Sequence, residues 1–269
     1  MLKRLSLALL LPLTVFATDF NPFFPPQLYI DAKADYLYQN FQKIQKNHKR
    51  KSYSSNDHFL HLSGSFNYDV YAGEAEITGA ATRHRTFGYD EARLTGRYQI
   101  LSDWISDTQS LVVGVTAMNT VQQALEDPGA FHHGKIAGML HAAFGKEFYC
   151  HQFWTQRFWG MVGFGSADVG SPWMQGLVVW DRNCWDVHQF RVFLKGLYGF
   201  GGDQIRLHRF KGYGPIAHRS ADVGVRYDYT TDWYGTLGLE YAYRFYARNF
   251  PCNVNLVQVH YEILLGTGI

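Results

Sequence analysis

Past its first sixteen residues this chain has no long unbroken apolar run, so beyond that leader no transmembrane helix is expected; such a span needs about 20 consecutive apolar residues. It has no Pro- or Ser-rich linker after Pro26 and no low-complexity tract, and no domain boundary shows. Its net charge is only +2, which gives no reason to expect nucleic acid as a partner. Cysteine is scarce: Cys150, Cys184 and Cys252 cannot all pair within the chain. A Cys150–Cys184 bridge is conceivable if their turns lie side by side, and three thiols are an equal alternative.

What is present begins with an export signal. Lys3 and Arg4 form a positive start, Leu5 to Phe16 an apolar run, and Val15 and Ala17 satisfy the small-residue rule for cleavage after Ala17. Residues 1–17 are therefore expected to be a signal peptide, and 18–269 a single domain. An exported chain without a second apolar segment is either soluble or a closed barrel in an outer membrane.

Alternation decides between them. Ala221, Val223, Val225, Tyr227 and Tyr229 share one face, against Ser220, Asp222, Gly224, Arg226 and Asp228. After a Thr-Thr-Asp break, Trp233, Leu237, Leu239, Tyr241, Tyr243 and Phe245 continue the apolar side. A period of two is the signature of strands, whose successive side chains point to opposite faces. Runs of about twelve residues exceed the usual strand and suffice to cross a bilayer at a tilt, where about 9–11 are needed. A slightly negative mean hydropathy beside 46 % apolar residues fits strands with one face in lipid and one in water. Aromatics at 17 % would furnish interfacial girdles.

The same reading predicts strands at 60–70, 74–84, 89–101, 109–119, 135–149, 154–166, 174–182, 186–199, 217–229, 233–247 and 254–266. The runs 109–119, 135–149, 154–166 and 174–182 are apolar on both sides. Segment 28–40 alternates as a strand would, and Ile30, Ala34, Leu37, Phe41 and Ile44 also fit a helical stripe. Taking it as strand one gives twelve, the even count that closed barrels of this kind show, with ten or fourteen as alternatives. It also puts the long connections 41–57, 120–134, 167–173 and 200–216 on one side, and short turns on the other. A gapless echo, Ala92 to Trp104 against Ala221 to Trp233, repeats a strand ending in Ser/Thr-Asp-Trp.

On these grounds the chain resembles the outer-membrane β-barrel proteins of bacteria, porin- or channel-like in architecture, with no specific family matched. The resemblance is strongest in the C-terminal strand, where Val257, Val259, Tyr261, Ile263, Leu265 and Ile269 alternate with Gln258, His260 and Glu262. It implies an all-β, closed, up-and-down antiparallel barrel located in the outer membrane and contacting its lipid. It also implies a final strand read by the barrel-assembly machinery, although Ile269 stands where an aromatic residue is usual.

On this register Glu91, Arg93, Arg97, Arg191, Lys195, Asp222, Arg226, Asp228, Glu240, Arg244 and Glu262 point into the lumen. Rows of charge there either select solutes by sign and size or pair to fill the lumen. The outer faces of the last three strands carry no charge, as lipid requires. The leading expectation is a porin-like channel for small hydrophilic solutes. The alternatives are a structural or surface-interaction barrel with an occluded lumen and, less favoured, a lipid hydrolase.

Other chemistry is weaker. His61-Leu-Ser63 and His218-Arg-Ser220 resemble the His-x-Ser pair of phospholipase and lipid A deacylase barrels, but both sit on the luminal face, and luminal hydrogen bonding is expected of them. Asp186-Val-His188 resembles half of an outer-membrane protease site whose Asp-x-Asp partner is absent. His132-His133 lacks neighbouring ligands, so no metal or other cofactor is expected. No helix after Gly199, Gly201 and Gly202 offers a phosphate cradle. The basic and aromatic residues of Arg206–Tyr213, and the run Lys46–Lys51, read as folded loops with solvated charges.

Overall fold

The computed structural model describes residues 20–24, 27–46, 49–103, 107–150, 153–231 and 234–267. The expected signal peptide, Trp104, Trp233 and Ile269 lie outside them. Among the described residues no helix is long and apolar enough to cross a membrane.

Twelve long antiparallel strands make one closed up-and-down barrel: β1 (Tyr29–Lys46), β2 (Lys49–Tyr68), β3 (Tyr71–Thr82), β4 (Arg85–Leu101), β5 (Ser110–Thr120), β6 (Ile136–Cys150), β7 (Phe153–Ala167), β8 (Trp173–Cys184), β9 (His188–Gly199), β10 (Arg219–Thr231), β11 (Gly235–Arg248) and, after the three-residue β12 (Phe250–Cys252), β13 (Asn255–Thr267). Neighbours in sequence are neighbours in the wall, and β13 returns to β1 from Tyr29↔Thr267 to Asn40↔Asn255. The β1–β2 ladder runs from Phe41↔Ser55 to Lys46↔Lys49. Nearer the other end these two strands are tied by side chains, Ser65 Oγ to Asp31 and Tyr36 Oη with His58 Nδ1. Segment 28–40 is thus a strand.

The two faces separate as a bilayer-spanning wall demands. On β10 and β11, Leu237 and Leu239 are each 54 % exposed, whereas Asp222 and Asp228 on the opposite face are 5 % exposed. The outward middle band is aliphatic, with Leu94, Val115, Leu140, Val162, Leu194 and Val225 all exposed. Aromatic residues flank it, including Tyr68, Tyr71 and Tyr98 near the short turns and Tyr89, Phe164 and Tyr246 near the loops.

One expectation is corrected. Residues 41–57 are not a loop: β1 and β2 continue past the barrel rim as a hairpin arm. Only one side of the arm is packed, where Phe41, Ile44 and Tyr53 bury against Ile205, Tyr213 and Phe250. The other side is solvated and charged, and a bulge between Phe41 and Lys43 breaks the period, so no clean alternation is written there. The long connections are 121–135 and 200–218, both at the arm's end of the barrel. Residues 168–172 form a short link at that same end.

An arginine on the aliphatic band should be costly. Val225→Arg is expected to lower folding stability in bilayers by about 2–4 kcal/mol, measured by urea unfolding; a loss under about 1 kcal/mol would contradict the lipid-facing register.

Candidate functional site

Segments of the chain stand across both ends of the lumen. At the turn end, Phe20–Phe24 lies inside the wall. Phe23 packs on Ala143, Trp159, Met161 and Val179, and Phe24 on Ala72 and Val112. Burying two phenylalanines is worth about 1.5–3 kcal/mol each. The backbone of this segment is held too: Arg97 Nη1 donates to the Asn21 carbonyl at 3.5 Å and Gln99 Nε2 to that of Pro22 at 3.3 Å. The Arg157 and Arg97 guanidinium groups stand 5.0 and 5.2 Å over the rings of Phe23 and Phe24. Gly145 makes the space, because a Cβ there would lie 2.7 Å from the Phe23 ring.

At the loop end, 121–135 and 200–218 lock together through backbone bonds, Tyr213 N–H to His132 O at 2.8 Å and Gly214 N–H to His133 O at 3.1 Å. Gly212 has φ of +91° at this contact, a conformation that side chains disfavour. His132 drops from the loop onto β4, with Nδ1 donating to Glu91 Oε2 at 2.8 Å and Nε2 to Asp90 Oδ2 at 2.9 Å. Carboxylates only accept, so both ring nitrogens carry hydrogen and the ring is an imidazolium. Burial works against that charge, but the bonds and charges of Asp90 and Glu91 prevail and push the His132 pKa up to about 9. His133 is the opposite case. Burial and the nearby His218 hold it well below its ordinary value. It stacks on Trp173 with ring centres 3.7 Å apart, and its Nε2 lies 3.3 Å from His218 Nε2. Burial likewise lowers His218 to about 4, and its Nδ1 donates to the Ile216 carbonyl.

Between these closures lies a chamber of about 360 Å³. Met139, Met161, Leu177 and Phe193 make an apolar wall on β6–β9. Glu91 and Arg93 line it from β4, Asp222 from β10 and Arg244 from β11. Phe131 and His133 line it at the loop end, and Phe20 at the other.

Most of the charges expected in the lumen are engaged with one another. Arg93 bonds Glu91 and lies 3.6 Å from Glu76. Arg191 holds Asp181, Arg226 holds Asp228 and His260, and Arg244 holds Asp222 through two bonds of 2.7 and 2.9 Å. Glu262 meets Tyr29 and Lys33, and Arg97 meets the N-terminal segment. Lys195 and Glu240 stand apart: both line the chamber, and among the described residues neither makes a direct hydrogen bond or ion pair, although Lys195 lies within the field of Asp222 and Glu240, and Glu240 within that of Arg226 and Arg191.

The remaining candidates do not assemble catalytic pairs. His61 bonds Thr78 and lies near Glu76, while Ser63 Oγ donates to Glu74. His218 is turned to Ile216 and His133 rather than to Ser220. His188 faces outward onto Tyr227, and Asp186 accepts from Asn183. Cys184 and Cys252 are thiols, so the Cys150–Cys184 bridge is not made. Phe210 and Tyr213 are buried within their loop, with Arg206, His208, Arg209 and Lys211 exposed. Sequence reading missed Asp181, Glu147 and Arg157, which bond luminal partners from strands with two apolar faces. It also missed the entry of Phe20–Phe24, for which the density of phenylalanine just before β1 was the available signal.

No protein-family model matches the chain, and no curated protein matches it. Solved structures do. The COG4313 outer membrane channel from Pseudomonas putida F1 superposes with a TM-score of 0.62 at 11 % identity, covering 93 % of this chain and 100 % of that one. The translocator domain of the autotransporter NalP from Neisseria meningitidis gives 0.50 at 10 % identity, covering 90 % of each. At such identities the likeness is one of fold, and it is the fold of outer-membrane barrels.

Raised from 6.5 to about 9, the His132 pKa makes its latch contribute fully below about pH 6.5 and lose that contribution as pH rises through about 9. A spin label on exposed Gln123 should gain mobility between pH 7 and 10, and His132→Gln should give the mobile spectrum at every pH; a pH-independent wild-type spectrum would contradict the latch.

Proposed function

We propose that this protein is a channel of the bacterial outer membrane for small hydrophilic solutes, which pass through a lumen of mixed charge. The observation that carries the reading is the chamber. A barrel serving only as a scaffold is expected to fill its interior, whereas this one keeps an open volume between two closures built of loops and a short terminal segment. Such closures are held by hydrogen bonds and ring contacts, which are of a strength that thermal motion or a solute can displace.

On this reading the hairpin arm and the loops 121–135 and 200–218 face outward, and the turns and Phe20–Phe24 face the periplasm. Residues 1–17 direct export, and β13 is the strand presented to the barrel-assembly machinery. Glu91, Arg93, Arg97, Arg191, Lys195, Asp222, Arg226, Asp228, Glu240, Arg244 and Glu262 set the field along the path. With both signs interleaved, selection between anions and cations is weak.

The occluded barrel remains the competing reading, favoured by the aromatic segment seated in the turn-end mouth. Planar-bilayer recording separates the two. The intact protein is expected to pass a small single-channel current, and removal of Phe20–Phe24 is expected to raise it several-fold. Silence at every voltage from both proteins would overturn the channel and favour the plugged form.

A further inference from the structure

Within the proposed channel, Lys195 and Glu240 line the chamber without a direct hydrogen bond or ion pair among the described residues. Across the strands Lys195 sits opposite Asp222, whose two carboxylate oxygens each accept a bond from Arg244 on the other side. Glu240 sits opposite Arg226, whose guanidinium is turned to Asp228 and His260. The direct hydrogen bonds of the wall therefore pass these two positions by. A charge without a direct protein hydrogen bond is satisfied by water or by a ligand, and Lys195 is exposed to the chamber.

Their surroundings narrow the ligand. Lys195 is also the cross-strand neighbour of Leu177, which pairs in turn with Met161, so it sits beside the apolar wall in the register. Glu240 neighbours Gln258 on the other side of the same chamber. The chamber volume falls in the range of small-molecule sites, about 300–1,000 Å³. A simple carboxylate would satisfy Lys195 and be repelled by Glu240, and a simple amine the reverse.

We propose that the chamber is a binding site for a small zwitterion with an apolar body, of the amino-acid class. Its carboxylate meets Lys195, its ammonium meets Glu240, and its side chain lies on Met161, Leu177 and Phe193. This rests on the channel reading for its biological sense and deepens it: the chamber becomes a stopping point on the path, selecting for paired charge rather than for net charge.

Calorimetry on the purified full barrel in detergent tests it with three probes of one shape: phenylalanine, 3-phenylpropionate and phenethylamine. Phenylalanine is expected to bind at least about tenfold more tightly than either relative, the worth of one satisfied charge contact. Lys195→Met should abolish its advantage over phenethylamine alone, and Glu240→Gln its advantage over 3-phenylpropionate alone. Heat-modifiable gel mobility identifies folded variants, and Lys195→Arg should retain the wild-type preference. Equal binding of the three probes, binding of none, or variants that shift all three alike would overturn the proposal. Binding with no conductance would overturn only the channel, and conductance with equal binding only the zwitterion site.

Discussion

A strand crossing hydrocarbon meets no water to bond its amides, so the wall of this protein must satisfy its own backbone by closing on itself. Everything else follows from that closure. From β2 to β11 each strand is laddered to the next, and β11 to β13; β1 is laddered to β13 along its lower two-thirds and to β2 only along its upper third, in the arm. The seam between β1 and β2 leans on side chains near the turn end, where Ser65 reaches Asp31. Because the sheet is closed, one face of every strand belongs to lipid and the other to the lumen. The sequence period of two then becomes a map of two solvents.

The luminal side is organised by pairing. Carboxylates on one strand meet guanidinium groups on its neighbours, as Arg244 meets Asp222 and Arg191 meets Asp181. Such bonds are charge-assisted and hold side chains in fixed positions, although their net contribution to stability is modest once desolvation is counted. Their consequence is shape: charged side chains are held to one another between neighbouring strands, and a chamber of about 360 Å³ remains. Lys195 and Glu240, which make no direct hydrogen bond or ion pair among the described residues, are conspicuous against that background, and both line the chamber.

How much of this was legible depended on what each strand packs against. β10 and β11 face lipid outward and charge inward, so Asp222, Arg226 and Leu239 read at once. β5 to β8 read ambiguously for a physical reason. Their inner residues, such as Val112, Ala143, Met161 and Val179, are apolar because they cradle Phe23 and Phe24 or wall the chamber. Two apolar faces erase the alternation. The arm at 41–57 hid itself because it leaves the membrane, packs on one side only and carries a bulge. The His132 latch was beyond sequence reading, since it joins residues about forty positions apart through a loop whose path is set by backbone bonds to Tyr213 and Gly214.

The central claim, that odd and even positions of β10, β11 and β13 face different solvents, is most directly tested by quenching from brominated lipid. A fluorophore would be placed by turns on cysteine at 223, 225, 237, 239 and 259, and at 222, 226, 240 and 258, with the native cysteines replaced by serine. Strong quenching at the first set and little at the second is the predicted result. Quenching that is reversed, or that does not alternate, would contradict the barrel's register and with it the luminal site.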